Sequence, residues 1–349
     1  MKSYEDIARN VFARREQYES AQQRNQTALR RAAVGFQVVA VAVMVFFTAG
    51  ISYAIAASIG IIDDFLGIFD ARGQDPLSES QRQFISGAAV ELGESVTSDG
   101  VTVTVKGAFT DGTTAFILLE IEAPEGIDLE SHALGLDGDA KGIVRGDNPE
   151  KHLNSTGLST THFCLDDDDG KQNTRTMLIQ ITTVNLPGSE FSFADGYYRY
   201  LRLDEIFYHQ EEYPYTKQLV AQGNWEFKFL FSDVGSDSVE LLDTPIQFEV
   251  RRSASSGTLL ATVHSISVRG FSVVFHHSIT SDLAEPGDFG DVQVVLKDGT
   301  VIRTTMKSAQ MTGSSTEFAT SYVASVPIVG SEVDHILVDG TVTIPMPQR

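Results

Sequence analysis

From Ala32 to Ile62 the chain runs for 31 residues without a charged side chain. A helix rising about 1.5 Å per residue needs about 20 apolar positions to cross the hydrocarbon layer of a membrane. The most apolar part, Val34 to Ile55, supplies 22. Backbone groups left unpaired in lipid cost several kcal/mol each, so such a run predicts a helix. Arg30 and Arg31 precede it, and Asp63, Asp64 and Asp70 follow it. Basic flanks stay in the cytoplasm, which places the N-terminus inside and the C-terminal bulk outside. Ala54-Ile55-Ala56 has the small-x-small form of a signal-peptide cleavage site. The charged stretch before the run, however, is far longer than the leading region of a signal peptide. The expectation is therefore a single uncleaved transmembrane helix over residues 32–62 in the cell membrane. Gly50 and Ala54, four apart, are a pair that lets two such helices approach closely.

Charge divides the chain in the same way. The formal net charge is −21, yet residues 1–31 hold seven basic and four acidic side chains, a net of +3 that leaves −24 for the rest. That field excludes nucleic acid as a partner of the larger part, because phosphate binding needs clustered Lys and Arg. Residues 4–31 lack Pro and Gly and favour helix. On that helix Tyr4, Ile7, Val11 and Tyr18 form an apolar stripe with Phe12 beside it. A lone helix cannot bury such a stripe, so the tail is a candidate partner-binding segment. After the span, Ile61, Ile62, Phe65, Leu66, Ile68 and Phe69 share one side of a short helix. It is expected at the outer membrane interface, within a connector over residues 63–87.

Beyond about residue 88 the hydrophobic period changes from 3.6 to 2. Val101-Thr-Val103-Thr-Val105 alternates, and Phe116 to Ile121 reads as a strand buried on both faces. Asp-Gly pairs at 99, 111, 195, 298 and 339 suit tight hairpins. Further strands are expected at Thr176–Val184, Trp225–Phe231, Ile246–Arg251, Ala261–Ser267, Phe271–His276, Val292–Leu296 and Ile336–Ile344. The fold class read from this is mainly β: an N-terminal helix and one transmembrane helix, then two Ig-like antiparallel β-sandwich domains. The polar stretch 232–244 marks their boundary, giving domains at 88–234 and 240–349, the first with an irregular insertion from Glu125 to Gly170.

No residue constellation makes a catalytic or cofactor site, so the chain is not expected to be an enzyme. There is no G-x-S-x-G elbow, phosphate loop, dinucleotide fingerprint or His-x-x-x-His spacing. The adjacent His276 and His277 point to opposite faces of a strand. Asp166, Asp167, Asp168 and Asp169 are a weak metal candidate, since hard cations want several carboxylates. The EF-hand register fails, because Thr176 stands where the bidentate Glu belongs. Asn154-Ser-Thr156 is a glycosylation acceptor only in a pathway that uses it. The single cysteine, Cys164, permits no internal disulfide. Tyr197, Tyr198, Tyr200, Phe207, Tyr208, Tyr213 and Tyr215 form an aromatic cluster that serves as a recognition surface or as core.

Several segments carry a family resemblance. They are Tyr4-Glu-Asp-Ile7, Arg14-Arg-Glu-Gln-Tyr18, Arg30-Arg31 with the span, Gly60-Ile-Ile-Asp-Asp-Phe-Leu-Gly-Ile-Phe69, Ser98-Asp-Gly-Val-Thr-Val-Thr-Val105 and Gly223-Asn-Trp-Glu-Phe-Lys-Phe229. With these the chain resembles a family of Gram-positive membrane proteins related to anti-sigma factors. Their outer part begins with a domain of unknown function numbered 4179. The resemblance implies an inner tail that holds a sigma factor and an outer Ig-like module whose ligand is unknown. It brings no catalytic residues. The function expected is a single-pass membrane regulator or sensor; the alternative is a surface-binding or cell-envelope structural module that uses the span as an anchor.

Overall fold

Strand order follows from where the apolar residues alternate and where Asp-Gly pairs turn the chain. The computed structural model describes residues 60–73, 75–137, 156–165, 170–185, 192–193, 198–209, 217–231, 239–252, 257–280, 287–311 and 316–346. The first described helix, α1, includes residues 60–72, and α2 covers Glu79–Ala88. The first eight strands are β1 (Val90–Ser98), β2 (Val101–Thr110), β3 (Thr114–Glu122), β4 (Leu134–Asp137), β5 (Thr156–Cys164), β6 (Thr174–Asn185), β7 (Arg199–His209) and β8 (Lys217–Phe229). Nine more follow: β9 (Val239–Glu240), β10 (Ile246–Arg252), β11 (Thr258–Ile279), β12 (Gly287–Asp288), β13 (Val292–Leu296), β14 (Val301–Met311), β15 (Glu317–Ile328), β16 (Val333–Val338) and β17 (Val342–Pro345). The fold is mainly β, and among the described residues every strand pairing is antiparallel.

The strands make three sheets. One has five in the order β1-β2-β3-β6-β5, one has three in the order β4-β7-β8, and one has nine running from β12 and β10 through β11, β15, β14 and β13 to β17. Asp99-Gly100 and Asp339-Gly340 turn β1 into β2 and β16 into β17 with φ positive at both residues, the geometry that matches strand twist. β11 is one element where two strands were expected. Fully extended it would span about 70 Å, yet the Thr280 amide donates to the Leu260 carbonyl at 3.2 Å. The element therefore doubles back near Gly270, whose φ is +51°. The stretch expected to be irregular, 125–170, contributes β4 and β5.

The five-stranded sheet is covered on both faces. Val103, Val105, Ala115, Ile117, Leu119, Met177 and Ile179 face the three-stranded sheet and pack with Trp225, Phe227 and Ile206. On the other face Phe109, Phe116, Leu118 and Leu178 join α1 and the nine-stranded sheet in a second core. One extra residue in β2 sets this division. Val105 pairs with Leu119 but Gly107 pairs with Leu118, so Lys106 is a bulge. Because side chains alternate, the bulge exchanges the faces of everything beyond it. Before it the odd positions face the three-stranded sheet; after it Phe109 faces the helices.

Helix α1 corrects the interfacial-helix expectation. Ile61 is only 4% exposed, and Phe65 and Phe69 are fully buried. Phe65 meets Phe109 edge-on with ring centroids 4.9 Å apart, and Phe69 lies 5.1 Å from Phe116 and 5.0 Å from Phe271. The side chain of Ile61 fills the place a Cβ on Gly107 would take. The last three positions of the uncharged run, 60–62, thus lie in a helix of the packed fold. A capping box then starts α2: Ser78 Oγ accepts from the Gln81 amide while Gln81 Oε1 accepts from the Ser78 amide. Gln81 Nε2 also donates to the Pro327 carbonyl at 2.6 Å, fixing α2 against β15. Arg82 and Asp70, 2.6 Å apart, tie the two helices together.

Residues 1–59 lie outside the described residues, among them the tail and most of the expected span. Among the described residues no helix is long and apolar enough to cross a membrane.

Candidate functional site

One candidate site is a groove between α1 and the five-stranded sheet. Its cavity measures about 550 Å³, within the 300–1,000 Å³ typical of small-molecule sites. Helical spacing puts Asp64, Ile68 and Arg72 along one wall, with Asp63, Gly67 and Ala71 beside them. The opposite wall is Leu118, Thr176 and Leu165, on the outer face of β3, β6 and the end of β5. Alternation along β2 already places Lys106 on the face turned to α1, where its ammonium lies 3.3 Å from Asp64 and 3.9 Å from Glu120.

Arg72 closes the other end. Its guanidinium stacks over the ring of Phe163, with Cζ 4.5 Å from the centroid, and lies 5.6 Å from that of Phe69. Nη2 donates to Gln180 Oε1 at 3.3 Å. Nη1 is buried and has no hydrogen-bond partner. Burial holds the pKa of this group below the ordinary arginine value, as expected of a cation stripped of water. Cys164 is half-buried at the rim, its thiol donating to the Leu134 carbonyl at 3.6 Å.

A second depression, of about 650 Å³, borders Lys297, Asp334 and His335 near β16 and β17. Its charged groups are already engaged, Lys297 Nζ with the Ser331 carbonyl and His335 Nδ1 with Asp334. Elsewhere, the tip of the β2–β3 hairpin is pinned to the bend of β11. Asp111 is buried; its Oδ1 accepts from the amides of Thr113 and Thr114, and its Oδ2 from the amide of Phe271 at 2.6 Å. A Cβ on Gly270 would collide with that of Asp111. Burial raises the Asp111 pKa.

The residues singled out in the sequence fare differently. Tyr4, Ile7, Val11, Phe12 and Tyr18 lie outside the described residues, as do Asp166, Asp167, Asp168, Asp169 and Asn154. Among the described residues no three His, Cys, Asp or Glu side chains come together as a metal set. His276 and His277 do face opposite ways; His277 is buried between Phe289 and Phe318. Four members of the aromatic cluster are described, and they split. Tyr208 is core, its hydroxyl donating to the Asp128 carbonyl at 2.8 Å, and Phe207 is buried beneath Lys217. Tyr198 is exposed and Tyr200 half-buried, with Lys228 over both rings. Tyr197, Tyr213 and Tyr215 lie outside the described residues.

Sequence reasoning missed Arg72 and Lys106. Arg72 did carry a signal, as the one basic residue among five acidic ones between Asp63 and Glu79. Lys106 carried none, because local sequence does not show that α1 covers its face of β2.

No curated protein matches the chain. A structure described as "The crystal structure of the conserved domain protein from Bacillus anthracis" is similar to it at 16% identity and a TM-score of 0.48, over 76% of this chain and 80% of that one. A family model matches residues 29–123, a span that takes in α1, α2, β1, β2 and β3, and with them Arg72, Lys106 and Leu118 of the groove. Residues 29–123 carry a domain of unknown function, DUF4179.

Proposed function

We propose that this chain is a membrane-tethered sensor. A single helix crosses the membrane, the basic tail engages a cytoplasmic partner, and the acidic β region outside, an Ig-like pair of sandwiches, binds a ligand in the α1 groove. The role is binding and not catalysis. The reading rests above all on one observation. The uncharged run ends inside the β core, with Ile61 at its end and Phe65 and Phe69 just beyond it all buried. Residues 32–59 still provide 28 uncharged positions, more than the roughly 20 a crossing needs. A helix seated in this way moves with the sheets, so a ligand against its outer wall acts directly on the segment leading to the membrane. A merely anchored module needs no such seat. The family resemblance points to a sigma factor as the partner of Tyr4, Ile7, Val11, Phe12 and Tyr18.

Fractionation of cells making the full chain tests the tether, with alkaline phosphatase fused at the C-terminus to report the side. The expected result is membrane-bound protein, released by detergent and not by salt, with an active phosphatase. Recovery in the soluble fraction, or an inactive phosphatase on stable protein, overturns the reading.

A further inference from the structure

Resting on the groove as the ligand site, we infer that it takes a small organic anion with an apolar body, its acidic head meeting Arg72. Three features of the groove lead there. The first is the guanidinium itself, anchored by stacking on Phe163 and by one long hydrogen bond, with Nη1 unpartnered. An uncompensated buried cation is costly. A planar fork held mainly by a ring face can slide along that face to meet an acidic group, and its geometry favours carboxylate or phosphate.

The second is charge order along α1. Arg72 lies eight positions beyond Asp64, about 12 Å of helix. Asp64 is paired with Lys106 at its end. At the Arg72 end no carboxylate pairs with the guanidinium among the described residues. Arg72 is thus the groove cation to which we assign the anionic head.

The third is the surface between them. Ile68, Leu118 and Leu165 are apolar, and a Cβ on Gly67 would meet nothing within 4 Å. This open apolar stretch suits a short hydrocarbon body and gives a free inorganic anion nothing to touch.

The test uses the full chain purified in a neutral detergent, with binding read by titration calorimetry and melting temperature. The probes are sodium hexanoate and hexyl phosphate, against hexanol and inorganic phosphate, each up to about 10 mM, which detects millimolar affinities. At least one hexyl anion is expected to bind and raise the melting temperature, and hexanol and inorganic phosphate to bind at least about tenfold more weakly. Arg72→Gln should weaken that anion at least about tenfold, with Arg72→Lys in between. Gly67→Leu guards against misfolding. It fills the groove at a helical position with open space, so the melting temperature should hold or rise while anion binding disappears. The inference is overturned if neither hexyl anion binds, if inorganic phosphate binds as tightly as they do, or if either Arg72→Gln or Gly67→Leu binds them like the parent. Because the readout is binding alone, these results stand apart from the fractionation that tests the tether.

Discussion

Replacing His277 by Phe should remove a specific part of the chain's acid sensitivity. The ring is 1% exposed and lies 4.9 Å from Phe289 and 5.8 Å from Phe318, centroid to centroid. Nδ1 approaches the Phe275 carbonyl at 3.4 Å, and Nε2 has no partner. Burial, reinforced by the neighbouring His276 and His264, pushes its pKa from 6.5 down to about 4. The folded state thus holds the neutral ring, while the unfolded chain takes up a proton below about pH 6.5. His277 costs nothing above that pH, and stability drains away as pH falls towards 4. A tenfold difference in proton affinity between the folded and unfolded chain corresponds to about 1.4 kcal/mol. The loss is therefore about 2 kcal/mol at pH 5 and approaches about 3.4 kcal/mol below pH 4. Phe at this position keeps the aromatic contacts and removes the proton site. Urea unfolding at pH 7.5 and 5.0, followed by the fluorescence of the single tryptophan, Trp225, measures the effect. The stability difference between parent and variant should change by about 2 kcal/mol between the two pH values. A difference that stays constant to within about 0.5 kcal/mol would refute the assignment of a buried neutral ring.

Two further substitutions probe the seams of the fold. Asp111→Asn exchanges one carboxylate acceptor for a donor and leaves at least one of the amides of Thr113, Thr114 and Phe271 unsatisfied. The expected cost is about 1–3 kcal/mol in urea unfolding, and a change below about 0.5 kcal/mol would contradict the pinning of the β2–β3 hairpin to β11. Phe69→Ala removes a ring that touches Phe109, Phe116 and Phe271. It should cost about 3–5 kcal/mol, whereas a helix lying on a lipid surface would lose far less.

Several strands were legible where one face alternated or both faces were buried, but β7, β14 and β15 went unread although β15 is buried on both faces. Val292–Leu296 was read with its own limits, and Val101–Val105 and Phe116–Ile121 lie within β2 and β3. The Asp-Gly pairs at 99 and 339 marked real hairpins, because few other dipeptides place two successive residues at positive φ. β1 escaped notice, since it sits at a sheet edge and its Glu, Ser and Thr residues break the apolar alternation. The Ile61–Phe65–Phe69 stripe was correctly seen as a helix face, but periodicity says only that a face is apolar and not what covers it. The cover comes from Phe109, Phe116 and Phe271, as far as about 200 residues away in the chain. The same limit hid the groove. Arg72, Lys106 and Leu165 meet through strand order and the packing of α1 on the sheet, and neither leaves a mark in local sequence.

Helix α1 is part of the β core and not a flexible connector. Amide hydrogen exchange on the full chain tests this most directly. The amides of residues 64–72 should exchange as slowly as those of β3, with opening free energies within about 1 kcal/mol of each other. Complete exchange of residues 64–72 within seconds, while β3 stays protected, would contradict it.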